Sequence, residues 1–396
     1  MSDSHEPVLT RPFLLLVAAH FLQALGYASL ILLPLYLDHL GASRSEVGVV
    51  MAASAVGGLL ARPVVAWSLD RVGRKPTLYV GTIVMVAGMA SLGLVQSVGL
   101  AIVLVHGVIG AAEGALFSGY FTLAADIVPE RRRTEGLALF GISGLVPLVV
   151  NPIAGGLGVQ GAQLRWFFVV VAGIILGSLP FLWPLRERAP HTAKAGPSPR
   201  EVLRSLRHRA LWPVWVATMV FAGLVAIFMS FVTVAAADAG AANAGIIWLA
   251  YAAGAVSIRL FGASIPDRVG PSRMVPPSLL AYVAAFVVAA FASTNTGFAM
   301  SGLLAGFAHG ACFPVLSGQA VTRTPAAQRG AAMSLFTALW DLVKLLLVPL
   351  AGWMADAVSD QGMLLASAAA AVVGLGVWGW LERGVPAEDI GWSADR

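Results

Sequence analysis

The sequence predicts an all-α polytopic membrane protein with twelve transmembrane helices in two pseudo-symmetric six-helix halves. Composition carries the first part of that expectation. Of 396 residues, 58% are hydrophobic and 11% charged, whereas soluble domains carry about 25% charged residues. No soluble fold hides that much apolar surface, so lipid serves as solvent for much of it. Run length carries the second part. A hydrocarbon core about 30 Å thick takes roughly 20 apolar residues per helix. Such runs fall at 12–37, 46–69, 76–96, 99–126, 136–158, 165–185, 211–236, 244–266, 274–293, 298–322, 330–356 and 361–382.

An internal repeat carries the third part. Arg62 stands eight positions before Asp70-Arg71-Val72-Gly73, and Arg259 stands eight before Asp267-Arg268-Val269-Gly270, an offset of 197. Pro152 and Gly155 recur at the same offset as Pro349 and Gly352. At offset 196, Gly110, Glu113-Gly114-Ala115 and Phe117 answer Gly306, His309-Gly310-Ala311 and Phe313. Parallel duplication in so apolar a chain is an architecture of secondary transporters.

The elements follow in order. The first ten residues carry no Lys or Arg and the run at 13–37 is of span length, so a first span is expected there rather than a cleavable signal. With both termini placed in the cytoplasm, every Lys and Arg except Arg44, Arg165, Arg62, Arg259 and Lys344 falls in a terminus or an inner loop. That is the positive-inside bias. It accounts for the net charge of +5 without nucleic acid, leaving a minor role in touching anionic lipid heads. Trp166, Trp183, Trp212, Trp353 and Trp380 stand at span ends, as interfacial belts do. The longest polar segment, 186–209, divides the halves. Within it Ser198-Pro199-Arg200-Glu201 reads as a capping box, opening a short amphipathic helix at 202–207 on the inner surface. The expected organisation is an N-terminal bundle at 1–185, a cytoplasmic loop at 186–210 and a C-terminal bundle with a short tail at 211–396. The single Cys312 excludes an internal disulfide and reads as a small packing residue. No metal site, cofactor or catalytic centre is expected: the chain lacks a phosphate-binding Gly-rich loop with Lys, a His-Glu-x-x-His motif and a Cys/His cluster.

Between the second and third spans, Asp70-Arg71-Val72-Gly73-Arg74-Lys75 forms a tight charged loop, with Gly73 supplying the turn. Such a cluster can latch neighbouring helices in one conformation and release them in another. Here the chain resembles the major facilitator superfamily over nearly its whole length. The family's Gly-x-x-x-Asp-Arg-x-Gly-Arg-Arg/Lys signature matches at Asp70, Arg71, Gly73, Arg74 and Lys75, with Ala66 in place of the first Gly. In the second copy Asp267, Arg268 and Gly270 fit, while Ala263, Pro271 and Ser272 depart from it. The resemblance implies two six-helix bundles around a cavity lined by spans 1, 4, 7 and 10, alternating access by rocking of the halves, and a functional monomer. In the fifth span Asn151-Pro152-Ile153-Ala154-Gly155-Gly156 resembles the Gly-Pro-x-x-Gly-Gly signature of the superfamily's proton antiporters. Asn151 stands where the first Gly would be. Pro152 is expected to bend the helix and free a carbonyl, with Gly155 and Gly156 allowing close helix contact. In the fourth span His106 takes the place of an antiporter Arg, four residues before Gly110. That form resembles the branch labelled arabinose-efflux-like permeases, and the chain as a whole resembles these and the drug:proton antiporter permeases.

An ionisable residue within a span costs about 2.5 kcal/mol or more, which makes it a functional candidate by default. Glu113 lies mid-span, seven residues from His106 and so on the same face, and its repeat partner is His309. The three form a candidate proton-handling or substrate-binding set. Asp341 and Lys344 lie three apart in the eleventh span, where they either neutralise each other or supply a second coupling acid and an anion contact. Arg62 and Arg259 are expected to hold inter-bundle geometry through helix-end carbonyls or an acid such as Asp126. His20, Gln23 and Tyr27 follow helical spacing, which cavity lining and interhelical bonding explain equally well. In the seventh span Thr218, Ser230 and Thr233 are the strongest polar groups, and Met219, Phe221, Phe228 and Met229 suggest an adaptable apolar wall.

The expected function is a proton-coupled antiporter that exports a small amphipathic, drug-like or metabolite molecule across a bacterial-type cytoplasmic (inner) membrane. Its partners are cargo, protons and the bilayer. One alternative is a proton symporter importing a nutrient or organic anion, with Lys344 and Arg62 as anion contacts. Another is a non-transporting sensor or assembly factor.

Overall fold

The computed structural model describes residues 7–129, 132–187, 201–202, 206–262, 265–325 and 328–386, without the side chains of 133–135, 138 and 267. Among the described residues all regular structure is helical. Eleven helices are long and apolar enough to cross a membrane: Arg11–His39, Arg44–Arg71, Arg74–Leu92, Leu100–Ile127, Leu139–Gly156, Gln163–Leu182, Arg209–Asp238, Pro271–Phe291, Asn295–Thr322, Arg329–Ala357 and Asp360–Glu382. A shorter apolar helix, Ile246–Phe261, takes the eighth place, which completes the twelve-helix all-α architecture. Most of the expected amphipathic helix at 202–207, with its capping box, lies outside the described residues. Trp166, Trp183, Trp212, Trp353 and Trp380 are all exposed, as a lipid-facing belt requires.

Three spans are less regular than their apolar runs suggest. The first passes through a 3-10 turn at Leu30–Leu32 before resuming at Leu33–His39. Pro34 explains the change, because it has no N–H to offer the preceding turn. The fifth breaks into Arg133–Ile142, a 3-10 turn at Val146–Val149 and a short helix at Val150–Gly156. The bend therefore precedes Pro152, which sits in the first turn of the last piece, where a missing N–H costs little. The eighth ends at Phe261 rather than 266, with Gly262 at its C-cap and a separate turn of helix at Ile265–Val269.

The chain divides into two compact units, Met1–Leu40 with Ala53–Lys194 and Gly41–Ala52 with Ala195–Arg396. In the first, the third span packs on the fourth and sixth; in the second, the ninth packs on the tenth and twelfth. The repeat reaches the level of atoms. A Cβ on Gly110 would collide with the Ser54 carbonyl, and one on Gly306 with that of Tyr251. A Cβ on Gly57 would strike the Gly107 carbonyl, and one on Gly254 that of Leu303. In both units, then, glycines bring two helix backbones into direct contact, the small-residue packing that lipid-embedded helices favour. The latch turns repeat as well: Gly73 and Gly270 have φ of 121° and 94°, a region that side chains other than glycine's enter at a cost.

Candidate functional site

In the first unit, polar side chains gather where the fifth span breaks. His20 is buried, and its Nδ1 lies 2.7 Å from Ser143 Oγ. The Ser143 hydroxyl donates to the Phe140 carbonyl at 2.5 Å, so its oxygen is left to accept from His20 Nδ1–H. That tautomer leaves His20 Nε2 as an acceptor facing the Tyr27 hydroxyl, a long contact at 3.5 Å. The imidazole stacks on Phe140 with centroids 4.5 Å apart and lies 5.0 Å from the Tyr120 ring. Gly144 makes room for the pair: a Cβ there would stand 2.9 Å from Tyr27 Oη and 3.2 Å from His20 Cε1. His20 thus bonds to the fifth span, while Tyr27 reaches back to His20 on its own helix. Gln23, between them, is buried and its Nε2 has no hydrogen-bond partner among the described residues, an uncommon and costly state for a donor. Glu113 is half-buried on the fourth span and its charge bears on Tyr27. His106, two turns earlier, is buried.

Asn151 is wholly buried and spends its amide on the Ala28 and Leu148 carbonyls, each at 3.1 Å. It ties the broken fifth span to the first, a task glycine could not perform. Gly156 departs from expectation, since a Cβ there would meet nothing within 4 Å among the described residues. It marks no close helix contact.

The second unit gathers aromatic rings instead. His309 Nδ1 lies 2.5 Å from the Tyr251 hydroxyl. Phe221, Phe313 and Trp340 surround the imidazole at centroid distances of 5.3, 6.1 and 6.2 Å. The Arg259 charge bears on both Tyr251 and His309, which gives it neighbours the sequence reading did not assign. Asp341 follows Trp340 directly, with Lys344 one turn on, and both are half-buried. Phe221 and Phe228 are fully buried in this aromatic packing, so of the expected apolar wall only Met219 is exposed and Met229 half-exposed. Tyr251 escaped sequence reading. Its one signal is a lone tyrosine in a run of small residues at 250–255.

The latch loop has a partner the sequence reading also passed over. The carboxylate of Glu187 accepts the backbone N–H of Arg74, and that of Lys75 at 3.3 Å. It thereby caps a helix whose N-cap, Gly73, has no side chain to do so, and it answers the positive end of the helix dipole. Lys75 Nζ donates in turn to the Trp183 and Leu185 carbonyls at 2.9 and 2.8 Å. Arg74 Nε lies 3.1 Å from Asp126 Oδ2, so Asp126 is engaged by the latch arginine. Asp70 and Arg62 are half-buried and Arg71 exposed.

In the second copy the base comes from elsewhere. Arg268 is exposed, Gly270 buried, and the Asp267 side chain lies outside the described residues. Where the first copy has Lys75, the second has Ser272, whose hydroxyl accepts from Arg323 Nη2 at 2.8 Å. Arg323, at the end of the tenth span, also binds Glu382 and the Ala210 carbonyl. The missing basic pair at Pro271 and Ser272 is thus answered by an arginine some fifty residues on.

At the opposite helix ends of the second unit, three acids converge on the start of the second span. Ser43 and Glu46 form a reciprocal capping box, with N–H to side-chain distances of 2.9 and 3.2 Å. Asp356 accepts the Arg44 and Ser45 N–H groups at 2.8 Å and the Ser45 hydroxyl at 2.5 Å. The Arg44 guanidinium pairs with Asp238 and, at 3.2 Å, with Asp360. Every backbone N–H of this first turn has an acceptor.

The sequence profile of the Major Facilitator Superfamily matches residues 15–262 and again 214–394. The staphylopine export protein of Staphylococcus aureus (strain Mu50 / ATCC 700699) is 27% identical over 353 residues, covering 85% of this chain and 87% of that one. The multidrug resistance protein MdtG of Salmonella typhimurium is 24% identical over 298 residues, covering 72% and 73%. Among solved structures, a mutant of the nucleoside transporter NupG superposes with a TM-score of 0.80 at 15% identity, over 93% of this chain and 99% of that one. A bacterial homologue of the lysosomal transporter Spinster, inward-facing and occupied, gives 0.75 at 15%, over 96% and 98%. Two overlapping profile matches, a shared fold and the repeated Asp-Arg-x-Gly loop agree: the chain belongs to the major facilitator superfamily.

Proposed function

We propose that the chain is a proton-coupled antiporter that exports a small amphipathic organic molecule by alternating access. The observation that carries this reading is Glu113, a half-buried carboxyl midway along the fourth span, in the unit that holds the buried His20–Ser143 pair. A carboxyl in that setting can take up and release a proton, and the unpaired Gln23 amide offers a donor to cargo. Phe313 and Trp340, half-buried beside His309, supply apolar faces, and the half-buried Arg259 a cation, for a planar or amphipathic molecule. Export is supported by the names of the relatives, a staphylopine exporter and a multidrug resistance protein. In this reading His106, Asp341 and Lys344 modulate proton or cargo binding, the latches at Asp70–Lys75 and around Gly270 set the switch rate, and Asn151 keeps the fifth span broken. The organisation is a bundle at 1–185, a loop at 186–210 and a bundle at 211–396, working as a monomer in the inner membrane with both termini in the cytoplasm.

The test compares small molecules inside cells and in the medium, with expression of the intact chain or of Glu113→Gln. A compound depleted inside and enriched outside only with the intact chain supports export and nominates the cargo. Enrichment inside instead would make the protein an importing symporter. Unchanged export by Glu113→Gln would remove the central assignment.

A further inference from the structure

The latch end of the first unit carries a groove that the transport reading leaves unused. Tyr79, Leu179, Pro180 and Trp183 line a recess of about 450 Å³ between the third and sixth spans. The recess is apolar along its length, and Trp183 stands 79% exposed at its mouth. The Tyr79 hydroxyl is turned to the Leu179 carbonyl at 3.5 Å, which leaves the ring as lining. Basic residues adjoin it in the chain. Lys75 sits one turn before Tyr79 and spends two of its three N–H groups on the Trp183 and Leu185 carbonyls. Arg186, three residues beyond Trp183, and Arg71 are exposed. Glu187 spends its carboxylate on backbone N–H groups of the latch helix, and Glu187 and Asp70 are the acids nearest in sequence to these three bases.

We propose that this groove seats an anionic phospholipid. An acyl chain lies along Tyr79, Pro180 and Trp183, and the headgroup phosphate meets Lys75 and Arg186. The chemistry is that of an interfacial aromatic beside basic side chains, which prefers anionic over zwitterionic headgroups. Because Lys75 belongs to the latch and Glu187 caps it, an occupied seat would bear on the turn that joins the second and third spans.

The full chain, purified in a non-ionic detergent, is melted with added phosphatidylglycerol or with phosphatidylcholine of the same acyl chains. Phosphatidylglycerol should raise the melting temperature more than phosphatidylcholine does, and added salt should shrink the difference. Arg186→Gln should erase the difference, Arg186→Lys should keep it, and Trp183→Ala should lower the response to both lipids. Equal responses in the intact chain would overturn the proposal. So would a phosphatidylglycerol preference undiminished in both Arg186→Gln and Trp183→Ala. Should Arg186→Gln melt lower without lipid, native mass spectrometry of the intact chain in an equal mixture decides: equal retention of the two lipids overturns the seat, and preferential retention of phosphatidylglycerol supports it.

Discussion

Arg323 and Glu382 meet in a two-pronged ion pair, Nη1 to Oε2 at 2.9 Å and Nη2 to Oε1 at 2.5 Å, and the arginine side chain is entirely enclosed. The same guanidinium holds the Ala210 carbonyl and the Ser272 hydroxyl, so one cation joins the ends of the seventh, ninth, tenth and twelfth spans. Removing one member strands the other. Arg323→Met should cost about 3–5 kcal/mol, whereas the double variant Arg323→Met, Glu382→Leu should recover most of it. Thermal unfolding in detergent of the two single variants and the double variant measures the difference.

Asp356 caps the second span from the far end of the eleventh. Its contacts lie at an exposed helix end, so Asp356→Ala should cost no more than about 0.5–1 kcal/mol of stability. Its larger effect should be on the Gly41–Ala52 segment, which clusters with the second unit. A cysteine placed at Ser45 should be labelled faster by a maleimide in the Asp356→Ala background. Equal labelling rates would show that the cap does not restrain the segment.

Glu187 performs a similar service for the third span. Glu187→Gln keeps the shape and loses the charge that answers the helix dipole, for a loss of about 0.5–1 kcal/mol. Turnover should change more than cargo affinity, because the contact touches the latch and no lining residue. A binding assay set beside a transport assay separates the two, and a selective fall in affinity would contradict this placement.

Tyr251→Phe removes the hydroxyl facing His309 while keeping the ring, and should cost about 1 kcal/mol. If His309 handles cargo or protons, the pH profile of transport should shift in this variant. A profile that coincides with the intact chain's would assign the bond to packing alone.

Glycine substitutions give the sharpest contrast. Gly110→Ala and Gly306→Ala each drive a methyl into a carbonyl of the facing helix, and should cost about 1–3 kcal/mol or more. Gly156→Ala meets nothing within 4 Å among the described residues and should melt like the intact chain. Parallel melting curves of the three variants check this.

The spans were legible in the sequence because apolar run length is a local quantity, and the two halves were legible because the latch letters repeat. The broken fifth span was harder to see. Its run from 136 to 158 looks continuous, and the break depends on Ser143, Pro147 and the Asn151 bond to another helix. Contacts across long stretches of chain were invisible for a plain reason: nothing near Arg44 announces Asp356, 312 residues away. Glu187 was hidden by being read as part of a solvated loop. His309 was legible as an ionisable group within a span, but Tyr251 was not, since a tyrosine among alanines reads equally well as packing. Side-chain direction defeated the reading of Phe221 and Phe228, which face their own unit's core.

The crossings at Gly110 and Gly306 are made against backbone carbonyls, which every amino acid carries. Whatever residue occupies position 54 or 251, the carbonyl that the glycine abuts is the same. Each half can therefore carry different letters beside the crossing without loosening the frame. Serine in one half and tyrosine in the other, or glutamate at 113 and histidine at 309, ride on a shared joint. Two halves built on one joint can divide their labour in this way, one presenting acids and hydroxyls and the other aromatic rings.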